Sequence, residues 1–408
     1  MDTMNNTEES RRHRLVIIVA AKFLLFFRGC IEYLNSRGID VSAVSSPGPE
    51  QDSIREEGAS IFDVPMNREI SPLEDIVSLW RLWRVLRRIR PDITNSGNPK
   101  TGLLGGLVAV LAGVPCRIYT LHGLRLETTT GLKRRILVWT EKISCKCAHR
   151  VICVSPSLRQ RAIDLGLVKP AKTSVIACHG VKVELYAGTE ENMARADELR
   201  GQLNLPQDFL VIGFVGRFTR DKGIPELMDA YWDLRSDFPE LRLLLVGDFE
   251  NGDPIPQSLR TRIESDPLIL RPGFVEDTSA YYQLMDVLVL PTWREGFPLV
   301  NIEAQAAGKP VVTTRATGAI DSVQDGKTGL LVPVGDAPAL ARAIGSLLGD
   351  AAMRKEMGRR GQEWVTREFP RGKVLAALAS EYHSLILERL GSRRSHVCNS
   401  DAIERNRK

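Results

Sequence analysis

The sequence lacks an apolar run long enough to span a lipid bilayer. Its longest apolar stretch near the N-terminus, Leu15–Phe27, is interrupted by Lys22 and falls short of the roughly 20 residues that a membrane-spanning helix needs. A mixed-charge leader without a small-residue cleavage site also disfavours a secretory signal peptide. We therefore expect neither a transmembrane helix nor a signal peptide, and we interpret Leu15–Val19 as the first buried strand.

The sequence also lacks cysteine motifs. Its seven cysteines form an odd set with no C-x-x-C pair and no regular spacing, which disfavours both a zinc site and a disulfide framework. Several lie in apolar runs such as Arg150–Val154, where a free cysteine acts as a small hydrophobic side chain in a reducing compartment. This pattern favours a cytoplasmic protein without a bound metal. The cysteines are at positions 30, 116, 145, 147, 153, 178 and 398.

The chain has little excess of either charge. Its 55 basic and 50 acidic residues give a net charge of +5, which does not indicate nucleic-acid binding. One segment, Trp80–Arg90, concentrates arginines among apolar and indole side chains at helical spacing. Such a helix can rest on an anionic membrane, but the pattern also fits a helix with a solvated basic face on an α/β domain. Both interpretations stay open.

The sequence does contain an α/β alternation, which occurs twice. A chain of 408 residues is long enough for two domains with separate cores. Strand-like runs that are apolar on both faces alternate with helical stretches in each half, as in parallel sheets covered by helices. We predict strands at residues 15–19, 40–45, 60–64, 117–121, 150–154 and 174–177, and then at 209–215, 241–246, 287–290, 310–314 and 330–332.

This alternation predicts two Rossmann-like, doubly wound domains that face each other across a cleft. We place the domains at residues 1–195 and 200–371, followed by a terminal helix at 372–390 and a polar, basic tail at 391–408. Ligands of open α/β sheets bind at the carboxyl ends of the strands, and here these ends would line the cleft. Neither half has a G-x-G-x-x-G after its first strand, which argues against a dinucleotide-dependent oxidoreductase.

The first candidate site segment is Val215–Gly223, which follows a predicted strand and precedes a helix. Gly216 permits a sharp turn at the strand end, and Arg217 and Lys222 bring two cations to the amino end of the helix, which itself favours an anion. A diphosphate would fit these groups. The alternative is an ordinary strand-to-helix turn with two solvated charges.

The second candidate segment, Thr292–Ala304, also follows a predicted strand. If Pro298 opens a helix, the backbone N–H groups of Leu299 and Val300 are among its unpaired donors and can meet phosphate oxygens. Glu303 would then lie deeper on the helix, where it could accept hydrogen bonds from a ribose. Alternatively, Glu303 forms a surface salt bridge and Glu295 interacts only with the helix dipole. Together the two segments provide what a nucleotide sugar requires.

These segments resemble those of the retaining glycosyltransferases of family 4, which have the GT-B architecture. The Glu-x7-Glu motif of that family matches Glu295 and Glu303, and its Gly-Arg-…-Lys-Gly motif matches Gly216, Arg217, Lys222 and Gly223. The resemblance covers nearly the whole chain. Segments of the first half, at 46–50, 98–105, 120–125 and 154–157, resemble the branch that builds bacterial capsular, exopolysaccharide and O-antigen chains.

The resemblance implies a function and a division of roles. Residues 200–371 would bind the donor, with the diphosphate on Arg217 and Lys222, the ribose on Glu303 and the transferred sugar near Glu295. The nucleotide-sugar site would comprise Gly216, Arg217, Lys222, Gly296, Phe297, Leu299, Val300 and Glu303. The resemblance further implies transfer of a hexose with retention at the anomeric carbon, and neither a metal nor a cofactor. The two cations would stabilise the leaving diphosphate.

Residues 1–195 would form the acceptor side. The resemblance implies a UDP-sugar donor and a lipid-linked sugar or growing glycan as the acceptor, at the inner face of the cytoplasmic membrane. His122, at a predicted strand end, matches a family histidine that faces the sugar across the cleft and would act as a catalytic residue beside Glu295; alternatively, it caps the strand.

Two loops depart from the family pattern. Residues 20–29 are bulky where many relatives have a glycine-rich loop, and residues 179–182 read His-Gly-Val-Lys where relatives often have Asn-Gly-Val-Asp. These departures keep open an alternative function, that of a non-catalytic GT-B scaffold in a polysaccharide assembly complex.

Overall fold

The computed structural model describes residues 12–66, 72–177 and 180–391. The leader before Arg12, the predicted tail beyond Gly391 and His179 of the altered 179–182 loop lie outside these residues.

The first sheet has seven parallel strands in the order β3-β2-β1-β4-β5-β6-β7. Its residues alternate little in polarity because helices cover both faces, so that β1 is buried along most of its length. The strands are β1 His13–Ile18, β2 Ile39–Ser45, β3 Ser60–Asp63, β4 Ile93–Gly97, β5 Cys116–Leu121, β6 Arg150–Cys153 and β7 Thr173–Val175.

The second sheet repeats this plan with six parallel strands in the order β10-β9-β8-β11-β12-β13. Two doubly wound α/β domains therefore make up the described chain, and the predicted fold class is confirmed. The strands are β8 Val211–Val215, β9 Arg242–Val246, β10 Ile269–Gly273, β11 Val287–Leu290, β12 Val311–Thr314 and β13 Gly329–Val332.

Helices fill the crossovers between the parallel strands. Those of the first domain and the connector are α1 Cys30–Ser36, α2 Glu50–Glu56, α3 Pro72–Ile89, α4 Pro99–Leu111, α5 Gly131–Cys147, α6 Pro156–Asp164, α7 Val183–Tyr186 and α8 Glu190–Gln202. Those that follow are α9 Ile224–Leu234, α10 Gln257–Ser265, α11 Ser279–Leu284, α12 Leu299–Ala306, α13 Ala337–Gly349, α14 Ala351–Glu368 and α15 Arg371–Ile386. Short 3₁₀ turns occupy 21–27, 125–128, 170–172 and 320–322. No described helix is both long enough and apolar enough to cross a membrane.

The last helix returns to the first domain. Leu378 and Tyr382 of α15 are buried in the same apolar cluster as Leu15 and Ile17 of β1. The predicted terminal helix at 372–390 corresponds to α15 and a π-helical turn at Leu387–Gly391. Since its apolar face completes the first core, this segment belongs physically to the N-terminal domain rather than standing alone.

Two strands were missing from the sequence prediction. Strand β4 lies at the centre of the first sheet, yet it reads Ile-Thr-Asn-Ser-Gly and is buried throughout. The side-chain amide of Asn95 in this strand forms hydrogen bonds with distant parts of the chain. Asn95 Nδ2 donates to the Tyr382 hydroxyl (2.7 Å), and the Thr120 hydroxyl donates to Asn95 Oδ1 (2.8 Å). Strand β10 is an edge strand with a register shift and contains Arg, Pro and Gly. Neither strand has the apolar pattern used for the prediction.

Candidate functional site

The two candidate segments lie side by side at the carboxyl edge of the second sheet. They follow β8 and β11, which are neighbouring strands. The backbone carbonyl of Asp221 accepts hydrogen bonds from the Trp293 N–H (2.8 Å) and the Thr292 hydroxyl (3.0 Å). Gly223 has a φ of 75°, and a Cβ there would lie only 2.0 Å from the Pro291 carbonyl oxygen. Glycine therefore allows the two segments to approach this closely.

Lys222 and Glu295 are in direct contact. The Lys222 ammonium pairs with a carboxylate oxygen of Glu295, and the two side chains are 17% and 14% exposed. The Glu295 backbone N–H is bound to the Thr317 carbonyl (3.0 Å), which fixes the loop that carries the carboxylate. Lys222, which is predicted to bind the diphosphate, and Glu295, which is predicted to contact the sugar, are thus paired with each other.

Arg217 lies on the same edge and forms a second ion pair. Its guanidinium contacts the Glu250 carboxylate on the loop after β9. Burial lowers the pKa of Arg217, but the hydrogen bond and charge of Glu250, with the charges of Asp221 and Glu295, outweigh burial and raise the pKa above its ordinary value. The residue is therefore a permanent cation, and half of its side chain remains exposed.

Asp221, which the sequence analysis did not single out, organises the site. Its carboxylate is 8% exposed, accepts a hydrogen bond from the Thr219 hydroxyl (2.6 Å) and pairs with Arg294 (2.5 Å). Burial raises its pKa, but the Thr219 hydrogen bond and the cations Arg294, Lys222 and Arg217 outweigh burial and lower it. Its position beside Lys222 within the glycine-bounded motif was a signal that could have identified it.

Helix α12 begins directly after Pro298, at Leu299. The N–H groups of Leu299 and Val300 therefore belong to its first turn, where N–H groups lack helical partners, as predicted. Phe297 points elsewhere: it is 8% exposed and packs against Phe369 with 5.2 Å between ring centroids. The predicted contact of Phe297 with a nucleotide sugar can come only from its backbone.

Glu303 lies further along α12 and interacts with two tyrosines. The Tyr282 hydroxyl donates to Glu303 Oε2 (2.7 Å), and the Tyr186 side chain forms a second hydrogen bond with the carboxylate. Burial raises the pKa of Glu303, while both tyrosine hydrogen bonds act in the opposite direction. Glu303 is thus not involved in the surface salt bridge considered as an alternative.

His122 follows β5, and its backbone carbonyl contacts the second domain. Its carbonyl lies so close to Gly296 that a Cβ at Gly296 would be 2.1 Å away, so this contact between the domains requires glycine. Its imidazole packs 5.6 Å from the ring of Phe23, and burial lowers its pKa from 6.5 to about 4. It is therefore neutral at pH 7. The ring borders a cavity of about 10 Å³, also lined by Asn95 and Thr120.

Further hydrogen bonds join the domains beside this contact. The Ser157 hydroxyl donates to Asp321 (2.5 Å) and accepts from the Gly318 N–H (2.7 Å). Arg294 Nε donates to the Thr128 hydroxyl (2.9 Å). The two domains are therefore in direct contact around Gly296, where the loop after β11 meets the end of β5.

This arrangement defines a class of protein. Two facing Rossmann-like domains, with cations, carboxylates and a helix amino end at the cleft, are typical of a GT-B glycosyltransferase. Residues 26–179 match the model of the glycosyl transferase 4-like domain, and residues 195–364 that of glycosyl transferases group 1. The chain belongs to this glycosyltransferase family, and the resemblance inferred from its motifs is confirmed.

Individual relatives agree with this assignment. The chain is 36% identical over 378 residues to the capsular polysaccharide biosynthesis glycosyltransferase CapM of Staphylococcus aureus, covering 92% of this chain and 98% of CapM. It is 28% identical to the UDP-Gal:alpha-D-GlcNAc-diphosphoundecaprenol alpha-1,3-galactosyltransferase of Escherichia coli, covering 79% and 83%. The structure of Anabaena HepE in complex with UDP and glucose superposes with a TM-score of 0.76 at 20% identity, covering 92% and 100%. This last similarity concerns the fold.

Proposed function

We propose that this glycosyltransferase moves a hexose from a UDP-sugar to a lipid-linked or growing glycan acceptor, with retention, in surface polysaccharide biosynthesis. The observation that carries the proposal is the convergence of Arg217, Lys222 and Glu295 beside the first turn of α12. The names of CapM and of the Escherichia coli galactosyltransferase support the pathway, the nucleotide and the diphospholipid acceptor.

In this proposal, donor binding exchanges ion pairs. The diphosphate displaces Glu295 from Lys222 and is also bound by Arg217 and by the N–H groups of Leu299 and Val300. Glu295 is then free to accept a hydrogen bond from the transferred sugar. As the bond from the anomeric carbon to the diphosphate oxygen breaks, its electron pair leaves with the diphosphate, whose charge the cations stabilise. The acceptor hydroxyl adds on the same face and transfers its proton to the departing diphosphate oxygen.

The neutral imidazole of His122 supports this reaction from the first domain. Because burial keeps the pKa of His122 at about 4, the ring is neutral near pH 7. It can therefore hydrogen-bond a hexose hydroxyl without adding a positive charge near the developing oxocarbenium ion. No cofactor has a role in this mechanism.

The acceptor proposal includes a peripheral contact with an anionic membrane through Trp80–Arg90. Trp80 and Trp83 of α3 are 53% and 37% exposed, and Arg84 and Arg87 lie over their rings at 4.7 and 5.7 Å. Indoles flanked by guanidinium groups suit the interface between headgroups and acyl chains. Trp139 on α5, 68% exposed, adds a third indole to the described surface of this domain.

A donor-hydrolysis screen tests the proposed reaction. The purified protein is incubated with UDP- and GDP-sugars beside Glu303→Ala and, as a matched control, Glu363→Ala, which removes an exposed glutamate of α14. We expect turnover of one UDP-sugar by the unaltered protein and the control, and loss of turnover with Glu303→Ala. Nucleotide binding with neither hydrolysis nor transfer to a supplied diphospholipid acceptor would instead support the scaffold alternative.

A flotation assay tests the membrane contact separately. We expect the protein to float with phosphatidylglycerol vesicles at low salt and to be released at high salt, because screening weakens attraction between exposed charges. Trp80→Ala with Trp83→Ala should reduce flotation. Phe274→Ala, which removes an exposed ring from the second domain, should not. A protein that stays in the soluble fraction at low salt would favour the solvated-face alternative.

A further inference from the structure

The carboxylate of Glu303 is held between two tyrosines that come from different parts of the chain. Tyr282 lies on α11 and is fully buried, whereas Tyr186 ends α7, in the connector between the two domains. Their rings meet edge to face, with centroids 5.6 Å apart and an interplanar angle of 73°. Each phenol hydrogen-bonds Glu303.

The direction of these hydrogen bonds follows from the groups that form them. An ionised carboxylate has no hydrogen to donate, so the single hydrogen of each phenol is directed at Glu303. The Thr278 hydroxyl also lies within hydrogen-bonding reach of both phenols, on the side of the tyrosine oxygens. Glu303 is thus held as an acceptor in one orientation.

The position of Tyr186 is set by backbone contacts of the connector. Gln283 Nε2 donates to the Tyr186 carbonyl (2.7 Å), and Asn192 Nδ2 donates to the carbonyls of Leu185 and Ala187, both at 2.8 Å. Side-chain amides thus secure this tyrosine and the residues on both sides of it. The arrangement holds one phenol in place, which a connector that served only as a tether would not require.

Counting acceptor positions suggests what this geometry achieves. A carboxylate offers about four lone-pair positions, and the two phenols occupy two of them. Two positions remain, which equals the number of vicinal hydroxyls on a ribose. We propose that Tyr282 and Tyr186 are positioning residues that orient Glu303 to accept hydrogen bonds from the ribose 2′ and 3′ hydroxyls. This inference rests on the proposed binding of the nucleotide at Glu303.

The test compares binding of UDP and of 2′-deoxy-UDP by calorimetry. A hydrogen bond to a charged group contributes enough for the unaltered protein to prefer UDP by roughly 10-fold to 100-fold. Tyr282→Phe and Tyr186→Phe keep the ring packing but remove the hydroxyls, and we expect each to lower this preference by at least about threefold. Tyr231→Phe is the control, because it removes a tyrosine hydroxyl bound only to the Leu268 carbonyl (3.2 Å) in the described structure.

The ratio of the two affinities separates positioning from general destabilisation. If the Phe variants bind both nucleotides more weakly but keep the ratio, the tyrosines have only a structural role and the inference is overturned. If the unaltered protein binds UDP without preferring it to 2′-deoxy-UDP, Glu303 does not bind the ribose as proposed, and the inference fails with that assignment. If the protein binds no UDP, the proposed function itself is wrong.

Discussion

The ion pair between Lys222 and Glu295 leads to a prediction that differs from the usual effect of removing a site residue. Both side chains are less than one-fifth exposed, and a diphosphate that binds Lys222 must first displace Glu295. Glu295→Gln removes the negative charge but keeps nearly the same shape. We therefore expect this variant to bind UDP more tightly than the unaltered protein.

The size of this gain follows from the strength of the pair. Ion pairs at protein surfaces contribute up to about 1 kcal/mol, and this pair is more enclosed than most. Removing the competitor should therefore gain about 1 kcal/mol, or about a fivefold lower Kd for UDP. Transfer should nevertheless fall by about 10²-fold, because Glu295 is proposed to contact the sugar in the transition state.

Calorimetry with UDP and a steady-state transfer assay measure the two effects. Glu363→Gln serves as the control, since it removes a carboxylate that pairs with Arg359 on the exposed surface of α14. Equal or weaker UDP binding by Glu295→Gln would refute the reasoning, because it would mean that Glu295 does not compete for Lys222. Unchanged transfer would refute the proposed role of Glu295 at the sugar.

Three further predictions concern titratable side chains that are buried near the cleft or in the first domain. Asp221→Asn should lower the free energy of unfolding by about 3 kcal/mol in urea titrations and weaken UDP binding, because it leaves Arg294 without its buried partner; unchanged stability would contradict this. His122→Asn should reduce kcat. In the unaltered protein, the pH profile of kcat/KM should show no ionisation of this histidine between pH 5.5 and 8, because burial keeps its pKa at about 4. An acid limb near pH 6.5 that disappears in the variant would contradict this. Burial raises the pKa of Glu141 from 4.5 to about 7, so the folded state loses stability as pH rises through this window. Glu141→Gln, which can still accept the Tyr119 hydrogen bond (2.8 Å), should therefore stabilise the protein by on the order of 3 kcal/mol at pH 8 and by little at pH 4.5; equal gains at both pH values would contradict this.

The sequence pattern was sufficient for the fold because most strands carry their own signal. Strands such as β1 and β9 are short apolar runs followed by helical segments, and their local pattern reflects their burial on both faces. Strand β4 has no such pattern. Its buried Asn95 hydrogen-bonds the Tyr382 hydroxyl 287 positions later, and no local sequence window contains that partner.

The same distinction applies to the site. Arg217, Lys222, Glu295 and Glu303 were predicted because each lies in a motif directly after a strand, and the structure brings the first three together. The tyrosines at Glu303 were missed because one lies in the connector and the other on a different helix. A motif thus identifies the residues that are proposed to meet the ligand, whereas their protein partners depend on the tertiary fold.

The carboxylates that pair with the cations of the site also indicate which of these cations a ligand can bind. Arg217, Lys222 and Arg294 each pair with a carboxylate at this edge of the sheet. The Asp221 carboxylate that pairs with Arg294 is 8% exposed, and Thr219 and the Asp221 backbone contacts hold it in place. Since displacing it would leave a buried charge unpaired, Arg294 should keep its partner when a nucleotide binds. Glu250 and Glu295 are more accessible, so exchange with a diphosphate is easiest at Arg217 and Lys222, the two cations of the sequence motif.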